Sequence, residues 1–140
     1  MKRKSTIFLI VMLLLIFQSV NYYASEDDTR DDDVILRYEY VSYINSTLKI
    51  ISKTATCKSI ITGRSGVTKI IVTQKLQKKV SGEWTNVKTW SKTANTSATS
   101  FTNSKSSLSS GTYRTRTVAK VYKNSNYETV SKNSDSVKIS

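Results

Sequence analysis

Two stretches of the chain set cations on a single parity. Lys69, Lys75 and Lys79 share one in "KIIVTQKLQKK", and Arg114, Arg116 and Lys120 share another in "YRTRTVAK". In an extended strand successive side chains point to opposite faces, so each trio falls on one side of its segment. A surface built this way attracts anions through its summed potential. Trp84 and Trp90 follow the first stretch and Tyr122 the second, and they would add stacking surfaces suited to sugar rings. Trp84 and Trp90 share a parity that Val87 does not, so either one tryptophan belongs to the core or a bulge separates them.

Other chemistry is scarce. The chain has no histidine, which excludes Ser-His and Cys-His nucleophiles and histidine-ligated metals. Glu83 falls in a turn, and Glu128 and Asp135 stand alone, so no carboxylate pair is available for acid–base work. No catalytic residue, cofactor or metal is expected. The lone Cys57 has no intramolecular disulfide partner and reads as a small buried hydrophobe; an intermolecular disulfide and a reactive thiol are the alternatives. Asn45-Ser46-Thr47 and Asn95-Thr96-Ser97 match the glycosylation acceptor pattern by coincidence.

These residues need elements to hold them, and the 140-residue chain is long enough for one domain. Lys2, Arg3 and Lys4 precede an unbroken apolar run from Ile7 to Phe17, a pattern that predicts a secretory signal peptide over residues 1–24 cleaved after Ala24. An uncleaved anchor is the alternative, although the run is shorter than the roughly 20 residues a spanning helix needs. Residues 25–45 form an acidic leader and arm. Six acids between Glu26 and Asp33 are relieved only by Arg30, and such a run stays solvated or lies against a basic surface and masks it. From Val34 onward 18 basic residues face four acids, a net of +14. The expected localisation is secreted or extracellular, with association to the cell wall.

Residues 46–140 read as a domain of short alternating runs separated by Ser, Asn, Gly and Lys, the pattern of an all-β sandwich or barrel. Seven runs are expected: Thr47–Ser52, Lys53–Thr62, Thr68–Lys79, Trp84–Ser91, Ser97–Asn103, Thr112–Lys123 and Tyr127–Ile139, the last breaking near Asn133. Period two predicts that Ile70, Val72, Gln74 and Leu76 point inward, as do Tyr113, Thr115, Thr117, Ala119 and Val121. Ala55, Cys57, Ser59 and Ile61 share a face. Ser81-Gly82 between the third and fourth runs signals a hairpin. With no proline in the chain, strand edges must be guarded by charge or bulges.

Leu108-x-x-Gly111-x-Tyr113 resembles the tyrosine corner of immunoglobulin-like domains, in which the tyrosine hydroxyl bonds back to nearby backbone. The resemblance implies a seven-strand immunoglobulin-like β-sandwich whose third and sixth strands pair. Lys69, Lys75 and Lys79 would then lie beside Arg114, Arg116 and Lys120. It also implies that Cys57 occupies the first cysteine position and that Thr115 stands where its partner would be. The blocks "SGVTKIIVTQKLQKK", "EWTNVKTWSKT" and "SSGTYRTRTVAKVYK", with "TATCKS" around the cysteine, resemble a family of small secreted proteins of Gram-positive bacteria. That resemblance implies export and fold, and it supplies no active site. The expected function is non-catalytic binding of an anionic cell-envelope polymer or glycan. The alternative is a cationic, bacteriocin-like effector acting on an anionic membrane surface; nucleic acid is not the expected partner. A solvated, aggregation-resistant sheet face would use the same residues with no ligand at all.

Overall fold

The computed structural model describes residues 38–140. The expected signal peptide and the acidic stretch from Glu26 to Asp33 lie outside the described residues. Eight strands follow in order: β1 (Val41–Ile51), β2 (Thr54–Gly63), β3 (Lys69–Val80), β4 (Glu83–Ala94), β5 (Ala98–Lys105), β6 (Gly111–Lys123), β7 (Asn126–Asn133) and β8 (Val137–Ile139). They form two antiparallel sheets packed together, one ordered β1-β2-β5 and the other β4-β3-β6-β7, with β8 pairing the start of β6.

Most strand ends fall within three residues of the sequence expectation, and one differs by more. The first strand begins at Val41 instead of Thr47, reaching into residues assigned to the arm, because Val41 is buried in the core. The segment just before it is fastened as well. The Glu128 carboxylate accepts from the backbone N–H of Glu39 at 3.0 Å and of Tyr40 at 2.8 Å, and Arg64 Nε donates to the Tyr38 carbonyl at 3.2 Å. The last run breaks near Asn133 as expected, and its two parts are separate strands, which makes eight instead of seven. Both β7 and β8 pair with β6, separated by a bend in which the Ser134 Oγ accepts from Thr115 N–H at 2.8 Å.

The hairpin turns carry the backbone that two-residue loops require. Ser81 and Gly82 take φ of 51° and 85° between paired Val80 and Glu83. Ser52 and Lys53 take 47° and 59° between paired Ile51 and Thr54. Positive φ at both central residues gives a twist that matches the flanking strands; glycine adopts it freely, whereas serine and lysine do so at a cost.

Alternation fixes the inner faces as expected. Ala55, Cys57, Ser59 and Ile61, the inward β3 residues from Ile70 to Leu76, and the inward β6 residues from Tyr113 to Val121 are all buried. They do not make one uniform core. One apolar cluster joins Val41, Ile61, Val67, Ile70, Val72, Ala119, Val121 and Val130; a second joins Ala55, Cys57, Leu76, Leu108 and Tyr113. Each fully buried aliphatic side chain of this kind stabilises by roughly 1.5–3 kcal/mol.

Between the clusters runs a belt of buried polar groups crossing from sheet to sheet. Thr117 Oγ1 donates to Ser46 Oγ at 2.9 Å and meets Ser59 Oγ at 2.6 Å. Gln74 Nε2 donates to Ser59 Oγ at 2.8 Å and to the Phe101 carbonyl at 3.0 Å, while Asn103 Nδ2 donates to Gln74 Oε1 at 2.9 Å. Such groups are tolerated in an interior only when paired, and here nearly all are. Thr115 Oγ1 is the buried side-chain oxygen that makes no hydrogen bond among the described residues.

Tyr113 fastens the end of the second cluster. Its hydroxyl donates to the Ser109 carbonyl at 2.8 Å, four residues upstream, and its ring is buried. Gly111 sits at φ 144°, and a Cβ there would collide with the Lys78 side chain, whose Nζ donates to Ser109 Oγ at 2.8 Å.

Candidate anion-binding face

The pairing of β3 with β6 sets the outward cations of both strands on one sheet face. Lys75 stands directly opposite Arg116; Arg114 is opposite Gln77, Lys120 opposite Ile71, and Lys69 opposite Tyr122. All six cations singled out in the sequence share this face, and none of its strand positions is Asp or Glu. Glu128 pairs with Val121 on the opposite parity and is engaged by the backbone before β1. Like charges on directly opposed positions destabilise a sheet, by a few tenths to about 1 kcal/mol.

The six are not evenly spread. Towards one end of the sheet lie Lys75, Lys79, Arg114 and Arg116; towards the other lie Lys69 and Lys120. Ile71, Thr73 and Val118 fill the uncharged band between them. Sequence reasoning missed a further member. Lys138 on β8 is opposite Thr112, which shares the parity of Arg114, so Lys138 joins the larger group. The signal is the short Val137-Lys138-Ile139 alternation that follows the break near Asn133.

Arg114 is the most constrained cation. Its guanidinium carbon stands 4.2 Å from the centroid of the Trp84 ring, and its Nε donates to Gln77 Oε1 at 2.9 Å. Gln77 is held in turn, with Nε2 donating to Asn86 Oδ1 at 2.9 Å. Ring and amide therefore fix the plane of the guanidinium and leave its two terminal nitrogens as donors for a ligand. Partial burial lowers the Arg114 pKa from its ordinary value, and the neighbouring Arg116 charge adds to that fall. Lys79 Nζ also stands over Trp84, at 5.8 Å.

At the other end Lys69 Nζ lies 4.0 Å over the Tyr122 ring and Lys120 Nζ 5.1 Å over Tyr127, whose ring is 5.3 Å from that of Tyr122. Each pair is a cation–π contact worth about 0.5–1 kcal/mol where exposed.

The two tryptophans part company. Trp84 pairs with outward Lys79, whereas Trp90 pairs with inward Gln74 and packs half-buried against the second apolar cluster. A register shift between Leu76 and Gln77 produces this reversal, inserting an extra β4 residue between Asn86 and Lys88. Trp90 is thus removed from the stacking surface, while Trp84 and Tyr122 remain on it at opposite ends.

Cys57 lies on the inner face and is fully buried. Burial pushes its thiol pKa up, and the Thr115 hydroxyl beside it pulls the other way, without hydrogen-bond geometry between them. Among the described residues no group of three or more acidic or cysteine side chains is placed to hold a metal ion. The chain matches no protein-family model, and no curated protein is significantly similar to it.

Proposed function

We propose that this chain is an exported, non-catalytic binding module on an immunoglobulin-like sandwich, and that its basic sheet face docks on an anionic polymer or acidic glycan of the cell envelope. The fold part is supported by the strand order β1-β2-β5 against β4-β3-β6-β7, by Cys57 facing Thr115 between the sheets, and by the Tyr113 hydroxyl returning to Ser109. Export is supported by the basic start and apolar run from Ile7 to Phe17.

One observation carries the binding reading. Lys75 and Arg116 are opposed, with Arg114 beside them, on a face whose strand positions hold no acid to neutralise them. Such an arrangement is a cost without a ligand and an asset with one. Its range is short, because charges separated by more than about 8–10 Å are screened at physiological salt, so the ligand must lie on the sheet itself.

Retention on immobilised anionic wall polymer tests this. The protein should be held at low salt and released at high salt, and Arg114→Ala with Arg116→Ala should release it at much lower salt. Retention indifferent to both salt and that substitution would refute the reading.

A further inference from the structure

We propose that the basic face is a two-point site for a linear, phosphate-bearing polyanion, gripping such a chain at both ends of the five-stranded sheet. The proposal rests on the anion-binding reading above and adds the form of the ligand.

The first argument is spacing. Lys120 faces Ile71 and Arg116 faces Lys75, so four residues separate the inner edges of the two groups along β3. At the rise of a strand this is a gap of about 14 Å. The centres of the groups lie some seven residues apart, roughly 24 Å. Both distances exceed the screening length at physiological salt, so the groups act as separate sites. One anion satisfies one of them; only a chain that crosses the band of Ile71, Thr73 and Val118 engages both. Once its first contact is made the second is intramolecular, which raises affinity without any new contact.

The second argument is the state of the aromatic rings. Trp84 has Arg114 against it at 4.2 Å, Tyr122 has Lys69 at 4.0 Å, and Tyr127 has Lys120 at 5.1 Å. The rings hold the protein's own cations in place. They are positioning residues for charge, which weakens the case for sugar or base stacking. What remains on offer is planar guanidinium forks and ammonium groups, the donors that match phosphate oxygens. A charge-dense chain without rings, a polyphosphate or polyol phosphate, fits that offer better than a polysaccharide.

Titration of the full chain with two inorganic probes, tripolyphosphate and long-chain polyphosphate, tests the proposal. Long polyphosphate should bind at least tenfold tighter per chain than tripolyphosphate. Lys69→Ala with Lys120→Ala should erase that advantage while leaving tripolyphosphate binding within about twofold, because Arg114 and Arg116 hold the short probe. Arg114→Ala with Arg116→Ala should weaken both probes, and the salt slope for the long one should fall by about 1–2, as expected for the loss of two phosphate contacts. Thermal unfolding of each variant within a few degrees of the parent confirms that the fold is kept.

If neither probe binds, the anion-binding reading itself fails. If both bind and Lys69→Ala with Lys120→Ala changes nothing, anion binding stands and the two-point site is wrong. Tighter binding of a sulfated polysaccharide, of single-stranded DNA or of phosphatidylglycerol vesicles than of long polyphosphate overturns the assignment to a phosphate chain without rings.

Discussion

The outer faces of the two sheets are drawn from the same small set of residues, and they differ in how cations are spaced. On the three-stranded sheet Lys58 lies between Thr47 and Thr102, and Lys49 lies beside Thr56, which is itself paired with Ser104. Each lysine there has hydroxyl neighbours. On the five-stranded sheet the equivalent row reads Thr89, Lys75, Arg116, Asn133, with two cations opposed. Isolated lysines keep a sheet soluble and guard it against edge pairing. Opposed cations do neither job better than isolated ones, and they repel. The difference separates a face that merely has to be wet from one whose charge is concentrated, and four predictions press on it.

The strongest perturbation leaves both outer faces alone. Cys57 and Thr115 face each other between the sheets, so Thr115→Cys should form a disulfide under oxidising conditions. Closing that loop should stabilise by about 2–4 kcal/mol, read as a rise in the denaturation midpoint that dithiothreitol reverses. Polyanion affinity should not change, because the outward residues keep their places. A variant that stays reduced in oxidant, or one that oxidises and loses affinity, would contradict the described geometry.

Next in size is the polar belt. Gln74 and Gln77 are amides three residues apart on β3, one facing each way across the bulge. Gln74→Leu removes the donor to Ser59 and Phe101 and the acceptor from Asn103, cutting the belt at its centre and leaving Ser59 only its bond to Thr117. The expected loss is about 2–4 kcal/mol in chemical denaturation. Gln77→Leu should cost less stability, about 1 kcal/mol, and should instead weaken anion binding, because Arg114 loses the acceptor that orients it. Equal stability losses with unchanged binding would erase the distinction between the inner and outer amide.

The third prediction compares the faces directly. Arg114→Glu with Arg116→Glu should lower polyanion affinity about 100-fold, or about 2.7 kcal/mol. Lys49→Glu with Lys58→Glu changes net charge equally on the other face and should lower it no more than about threefold through the general field. Equal losses from both pairs would mean that net charge alone drives binding.

Much of this was legible in the sequence because period two carries it. The inward residues of β2, β3 and β6 follow from alternation, the Ser81-Gly82 turn from its chemistry, and the six cations from parity. The rest depends on partners that a single strand does not reveal. Gln74 reads as inward, but its reason for being there is Ser59 and Asn103 on the other sheet. Trp84 and Trp90 share a parity, and only the register shift at Leu76/Gln77, a property of two strands together, sends them to opposite faces. Val41 falls in "VILRYEYVSYI", whose alternation suits a strand or an extended arm alike, with no turn to mark where a strand starts. Lys138 escapes for a related reason: the break near Asn133 is expected, but the face that its side chain takes depends on how Val137–Ile139 pairs with β6.

The smallest predicted effect isolates the cost of the charged row. Lys75→Thr would give that row the spacing already present around Lys58, one cation with hydroxyl neighbours. Lys75 makes no side-chain hydrogen bond among those found on this face, and threonine suits a strand, so the substitution chiefly removes repulsion from Arg116. Stability at low ionic strength should rise by a few tenths to about 1 kcal/mol. Near 1 M salt, where screening acts within about 3 Å, the gain should vanish. Lys58→Thr should give no gain at either salt, because its row holds no second cation. The same Lys75→Thr protein should bind polyanion less well, so stability and affinity should move in opposite directions on this face alone. A loss of stability at low salt, or a gain that survives high salt, would mean that the opposed cations are not in conflict. The row would then differ from its counterpart in packing and not in charge.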